Sequence, residues 1–152
     1  MENPGYGEEI TGEELLRRYE KGERDFRGIQ LDKSKSLTRV NLQGADFRNA
    51  CLYMANFGAA DFRNANFSEG CILYSSDFTG ADFRGANLQG TEFGDAILNA
   101  ANFSGADLPN ASFDCADAEA ANFTGATLEG AILHNTIMPD GSIVSNNSTN
   151  EK

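Results

Sequence analysis

Residues 60–69 read Ala60-Asp61-Phe62-Arg63-Asn64-Ala65-Asn66-Phe67-Ser68-Glu69. Two five-residue units stand side by side, each running from Ala through Asp or Asn to Phe. The pattern spreads outward in both directions. With the large apolar residue called i, Phe47, Phe57, Phe62 and Phe67 differ by multiples of five. So do Phe78, Phe83, Phe93, Phe103, Phe113 and Phe123, on a series shifted by one residue. Leu fills most of the gaps, and all 11 Phe, Phe26 included, fall at i. Ala holds i−2 in 15 units, Asp or Asn holds most i−1 positions, and Gly recurs at i+2, as at Gly44, Gly80 and Gly85.

A period of five excludes a long amphipathic helix, which needs 3.6, and a plain strand, which needs 2. Alternate residues of an extended step face opposite ways, so i and i−2 point inward together and i−1 points out. Gly at i+2 marks a corner, because Gly accepts positive φ. Each unit is therefore a short extended step followed by a turn.

The repeated Ala-(Asp/Asn)-(Leu/Phe)-x-x motif, met almost literally at Ala81-Asp82-Phe83-Arg84-Gly85 and Ala121-Asn122-Phe123-Thr124-Gly125, resembles the pentapeptide repeat family over about residues 24–138. The resemblance implies an all-β, right-handed quadrilateral β-helix with four units per coil. The 23 centres then make about six coils and sort into four inward columns. The first holds Phe26, Phe47, Phe67, Leu88, Leu108 and Leu128, and the second Leu31, Leu52, Leu73, Phe93, Phe113 and Leu133. The third holds Leu37, Phe57, Phe78, Leu98, Ala118 and Met138, and the fourth Leu42, Phe62, Phe83, Phe103 and Phe123. The 11 Phe are the expected structural core. Single-residue insertions are expected near Ser34 and at Gly70, each absorbed as a local bulge.

Strand edges at the ends of such a rod need covering. Thr11 with Glu14 makes a capping box, and residues 12–21 are expected to form an amphipathic helix that lays Leu15, Leu16 and Tyr19 over the first coil. The segment resembles the N-terminal caps of cyanobacterial members of the family. Three regions follow: an N-terminal segment and capping helix over 1–22, a β-helix over 23–139, and a flexible C-terminal tail over 140–152 begun by Pro139-Asp140-Gly141.

The composition excludes several functions. A net charge of −11 argues against gripping nucleic acid through its phosphates. No apolar run is long enough to span a membrane, and no signal peptide is visible, so a cytoplasmic setting is expected. Three Cys without a Cys-x-x-Cys pair argue against disulfides, and a reducing compartment is expected. His134 has no recognisable catalytic company, and the i−1 carboxylates lack the dense ligand set of a calcium site. No catalytic residue, metal or cofactor is expected.

What remains is surface. Cys51, Tyr53, Ile72 and Tyr74 should lie together outside the second column, where exposed aromatic and apolar side chains favour a partner. Arg63 and Arg84 should align on the fourth column. Charge is graded: residues 23–39 hold three acids and five bases, while residues 85–138 hold seven acids and no base. The expected function is a non-enzymatic interaction scaffold that binds another protein, with no direct contact to nucleic acid or membrane. The expected state is a monomer or a weak dimer through the C-terminal coil. The resemblance also raises an alternative, a DNA-mimicking inhibitor of a type II topoisomerase, with the acidic rod as its basis.

Overall fold

The computed structural model describes residues 7–32 and 36–145. Its backbone is joined by short parallel bridges, with residues 20 or 21 apart in sequence paired across successive rungs. The bridges fall into four ladders at the i−1 positions. One runs Asp25, Asp46, Asn66, Asn87, Asp107, Thr127; the next runs Gln30, Cys51, Ile72, Glu92, Ser112, Ile132. A third runs Asn56, Asp77, Ile97, Asp117, Ile137, and the fourth Asn41, Asp61, Asp82, Asn102, Asn122. These are the four columns read from the sequence. The offset is 21 where the intervening chain includes residues 68–70, as for Cys51 and Ile72, and 20 just beyond, as for Ile72 and Glu92. The extra residue is thus accommodated at the Gly70 corner, where Glu69 and Gly70 both take positive φ. The insertion placed near Ser34 lies outside the described residues.

Most corners are built the same way. The N–H of the next i−2 residue donates to the carbonyl of i, as Ala45 does to Leu42 at 3.2 Å and Ala81 to Phe78 at 2.9 Å. After Leu52 the Ala55 N–H donates instead to the Ser76 hydroxyl, at 3.1 Å. The residue at i+2 takes positive φ, the mark of a type II turn. Gly fills many of these positions, but Met54, Ala59, Ala100 and Ala120 adopt the same conformation. The Asp or Asn at i−1 then accepts the N–H of i+1, as Asp61 does from Arg63 at 3.1 Å and Asn102 from Ser104 at 3.0 Å. This local bond explains the residue preference at i−1. Asp107 is followed two residues on by Pro109, which has no N–H to give; its carboxylate accepts instead from the Thr127 hydroxyl at 2.6 Å.

The interior is a set of ring stacks. In the fourth column Phe62, Phe83, Phe103 and Phe123 stack at centroid spacings of 5.3, 4.9 and 4.9 Å, nearly parallel. Neighbouring columns meet edge to face, as Phe57 and Phe62 do at 5.1 Å; both geometries suit the ring quadrupole. Ten of the eleven Phe are essentially without exposure. Phe123 departs from the expected core, being only half-buried. It stacks on Phe103, but no further rung of the fourth column follows it.

Three i−2 positions carry a hydroxyl in place of Ala. Ser76, Thr91 and Thr136 are buried and donate to the carbonyls of Leu52, Phe67 and Phe113 at 2.9, 2.9 and 2.7 Å. Thr91 serves the widened corner at 68–70, where its hydroxyl takes the place of the usual turn donor.

The two ends differ. Glu9–Ile10 (β1) pairs in parallel with Gln30–Leu31 (β2), adding a rung ahead of the second column, with Ile10 stacked before Leu31. The helix α1 spans Gly12–Glu20. Thr11 accepts from the Glu14 N–H at 3.1 Å, Leu15 is fully buried, and the Tyr19 hydroxyl donates to the Gln43 carbonyl at 2.8 Å. At the other end Thr136–Ile137 (β3) pairs antiparallel with Ile143–Val144 (β4). Residues 140–145 are therefore not a flexible tail. Asp140 accepts both the N–H and the hydroxyl of Ser142 at 2.9 and 2.6 Å, which turns the chain back along its own last strand. The rest of the expected tail, residues 146–152, lies outside the described residues.

Candidate functional site

The outer face of the second column carries the aromatic patch. The Leu52 N–H donates to the Ile72 carbonyl and the Met54 N–H to the Tyr74 carbonyl, both at 2.9 Å, which fixes the two rungs against each other. Met54 is 57% exposed and Tyr74 44%, while Tyr53 and Ile72 are half-buried. The Tyr74 hydroxyl donates to Glu92 Oε2 at 3.2 Å. Its ring lies over Gly94, where a Cβ would come within 3.0 Å of the ring edge. Gly94 is thus the residue that lets the ring lie flat on the rung below.

Cys51 does not belong to the exposed patch. It is 4% exposed, contrary to the outward placement expected from its i−1 position. The reason is size: it sits in the ladder between the longer Gln30 and Ile72. Cys71 is wholly buried at i−2, and burial pushes its thiol well above the usual range. Cys115 is the exposed one of the three.

Arg63 and Arg84 are not free cations. Each grips the turn carboxylate of its own unit, Arg63 with Asp61 at 2.7 Å and Arg84 with Asp82 at 2.6 Å. Arg63 also reaches Asp82 on the next rung at 3.8 Å. Arg27 with Asp25 and Arg48 with Asp46 repeat the arrangement on the first column. What the columns align is an alternation of Arg and Asp. The guanidiniums hold the carboxyls of Asp46, Asp61 and Asp82 below their ordinary value, and that of Asp25 down to about 2. The arginine pair belongs to the fourth column and the tyrosines to the second, so the structure does not join them into one surface.

A grouping missed in the sequence lies farther along the second column. Asp114 and His134 both occupy i+1, on successive rungs, and Cys115 and Asn135 both occupy i+2. His134 Nδ1 lies 2.8 Å from Asp114 Oδ1, and the Cys115 thiol donates to the same oxygen at 3.4 Å. Asp114 is held below its ordinary value by His134 first and Cys115 second, and the Cys115 thiol is raised, chiefly by its bond to Asp114. His134 therefore has company after all. Column alignment was the available signal: Phe113 and Leu133 share a column, so the residues after them must meet. A shallow groove of about 320 Å³, lined by Tyr74, Ser75, Gly94, Asp95, Ser112 and Asp114, connects this grouping with the tyrosine patch. Among the described residues no helix is long and apolar enough to cross a membrane.

The family model for pentapeptide repeats matches the chain in 8 copies, over residues 41–72, 55–99, 76–114 and 101–138. Among solved structures, the pentapeptide repeat protein Rfr23 from the cyanobacterium Cyanothece 51142 is 25% identical, with 78% of this chain and 92% of that chain covered and a TM-score of 0.65. A pentapeptide repeat protein from Nostoc PCC 7120 is 29% identical, with 84% of this chain and 100% of that one covered and a TM-score of 0.57. None of the curated proteins matches the chain. The likeness carries with it a right-handed β-helix solenoid.

Proposed function

The chain belongs to the pentapeptide repeat family, and on that premise we propose that it is a non-enzymatic interaction scaffold that presents a rigid surface to another protein in the cytoplasm. In this reading the four ladders close into a quadrilateral β-helix of about six coils, with α1 as the cap of its first coil. The supporting observation is the pairing of Met54 and Tyr74, 57% and 44% exposed, on rungs locked by a 2.9 Å backbone bond. Met and Tyr are enriched at the centres of protein interfaces, and a fixed backbone spares the ordering cost of binding. Affinity capture from native lysate with wild type and Tyr53→Ala/Tyr74→Ala tests the patch. Loss of captured species with an unchanged circular dichroism spectrum supports it; an identical set sinks it.

Self-association through the C-terminal end is the accompanying proposal. Phe123, Leu128 and Leu133 are only half-buried on the last rung, unlike their counterparts earlier in each column. Sedimentation equilibrium should show a concentration-dependent dimer that Leu128→Glu abolishes. The second functional reading, DNA mimicry toward a type II topoisomerase, draws on the run from 85 to 138 with seven acids and no base. A supercoiling assay decides it: no inhibition of gyrase at micromolar protein removes the reading.

A further inference from the structure

Three chemically different donors converge at one point on the second column. Asp114, Cys115 and His134 each offer one ligand atom, and these atoms lie within 4.8 Å of one another. We infer that they form a binding site for a borderline-soft divalent transition-metal ion, zinc above all, with three protein ligands and a fourth position open to solvent. Thiolate, imidazole and carboxylate together are the donor set of zinc, whereas calcium and magnesium take oxygen almost alone.

The geometry is close to what such an ion requires. Bond lengths of about 2.0–2.3 Å place tetrahedral ligand atoms roughly 3.3–3.8 Å apart. His134 Nδ1 and Asp114 Oδ1 are at 2.8 Å, and Cys115 Sγ is 3.4 Å from that same oxygen. The three side chains are exposed and free to spread by about an ångström, while the backbone beneath them is fixed. The Cys115 N–H donates to the His134 carbonyl and the Asp95 N–H to the Asp114 carbonyl, both at 2.9 Å. Cys115 and Asn135, at φ of 58° and 52°, sit at stacked corners. Asn135 Nδ2 lies 3.4 Å from His134 Nε2. With that amide turned over, its oxygen accepts a proton at Nε2, which favours the tautomer that presents the Nδ1 lone pair once a metal displaces the proton Nδ1 shares with Asp114. Asp95, at the corner one rung before Cys115, adds a second carboxylate to the field.

On binding, the Cys115 thiol releases its proton to solvent and the sulfur lone pair enters the coordination bond. His134 gives up to solvent the Nδ1 proton it shares with Asp114 and takes one at Nε2, so that the Nδ1 lone pair and a carboxylate oxygen of Asp114 complete the protein's share. The groove beside Tyr74 and Asp95 leads to the remaining position.

Titration of the full chain with Co²⁺ under reducing conditions tests the assignment. A thiolate-to-cobalt band in the near ultraviolet should appear at one equivalent and bleach on addition of Zn²⁺. Cys115→Ser should abolish that band, since Cys51 and Cys71 are buried. His134→Ala and Asp114→Asn should each raise the apparent Kd by about 10-fold or more. Zn²⁺ should also protect the Cys115 thiol of the wild type from a thiol-reactive dye. Absence of the band in wild type overturns the proposal, as does a band that survives in Cys115→Ser. Circular dichroism of each variant shows that the surface substitutions leave the fold intact.

Discussion

Around Asp61 and Asp82 each turn carboxylate holds a guanidinium at 2.7 and 2.6 Å, while around Asn102, Asp117 and Asn122 the same turn is made without a base beside it. The backbone does not register the difference. Asp61 accepts the Arg63 N–H at 3.1 Å, and Asp117 accepts the Glu119 N–H at 3.1 Å. The corner is thus a property of the turn bond, and the arginines are an addition confined to the first half. A second contrast runs along the axis. At the N-terminal end Ile10, Leu15 and Phe26 are all buried, whereas Phe123 on the last rung of its column is only partly so. The N-terminal half is ion-paired and covered; the C-terminal half is acidic and open.

Core truncation should show the axial contrast most strongly. Phe83 is stacked on both faces, by Phe62 and Phe103. Phe83→Ala should cost about 3–5 kcal/mol in urea unfolding. Phe123→Ala, with one stacked face and partial exposure, should cost roughly half of that. Equal losses would mean that the last rung is covered in solution, by a second copy or a partner. The next largest effect separates two buried hydroxyls. Thr91 supplies the donor for the Phe67 carbonyl at the widened corner, while the Phe113 carbonyl receives the Ala116 N–H at 2.8 Å as well as the Thr136 hydroxyl. Thr91→Val should therefore cost about 1–3 kcal/mol, and Thr136→Val less than about 1 kcal/mol. The ordering of the two midpoints in urea checks it.

Much of this was legible in sequence because the repeat places side chains by arithmetic. The five-residue units, the Gly70 insertion and the cap signal at Thr11 and Glu14 are local in the chain; the four columns rest on the four units per coil that the family resemblance implies. Ile10 was not legible as a rung: it lies before the helix and lacks the Ala and Asp that flag a unit. The antiparallel return of Ile143–Val144 depends on the Asp140 turn meeting a strand edge that only the folded rod creates. The exposure of Cys51 turned on the size of neighbours about 20 residues away on either side. Asp114, Cys115 and His134 follow from the same column alignment that brings Tyr53 beside Tyr74, because Phe113 and Leu133 share a column.

Acid should reveal the contrast in charge pairing. The carboxyls of Asp46, Asp61 and Asp82 are held below their ordinary 3.8 by the arginines, and Glu14 is lowered from 4.5 to about 2 by Arg17 and Arg18. A folded-state value below the unfolded one means stabilisation that is complete above the unfolded value and lost as pH falls through the folded one. As pH falls from about 4.5 to 2, hydrogen-exchange protection factors, corrected for the pH dependence of intrinsic exchange, should therefore drop at the Arg–Asp corners and in α1, and high salt should blunt the effect. Arg63→Gln/Arg84→Gln should flatten this dependence in the fourth column. An unchanged profile would show that the ion pairs do not persist in solution.

The smallest effect asks whether the corner differs at all between the halves. Ala59 and Ala120 occupy i+2 with φ of 55° and 61°, one in each half, and both are exposed. An L-residue in this region costs roughly 1–2 kcal/mol. Gly relieves that strain but gives up about 0.5–1 kcal/mol of chain entropy on folding. Ala59→Gly and Ala120→Gly should each stabilise the fold, by about 0.5–1 kcal/mol, and by the same amount. Equality is the informative result, since the turn bond from the Glu119 N–H to Asp117 matches that from the Gly58 N–H to Asn56, both at 3.1 Å. A gain at Ala59 without one at Ala120 would mean that the last coil frays before the rod unfolds, so that relieving its corner leaves the global transition unmoved.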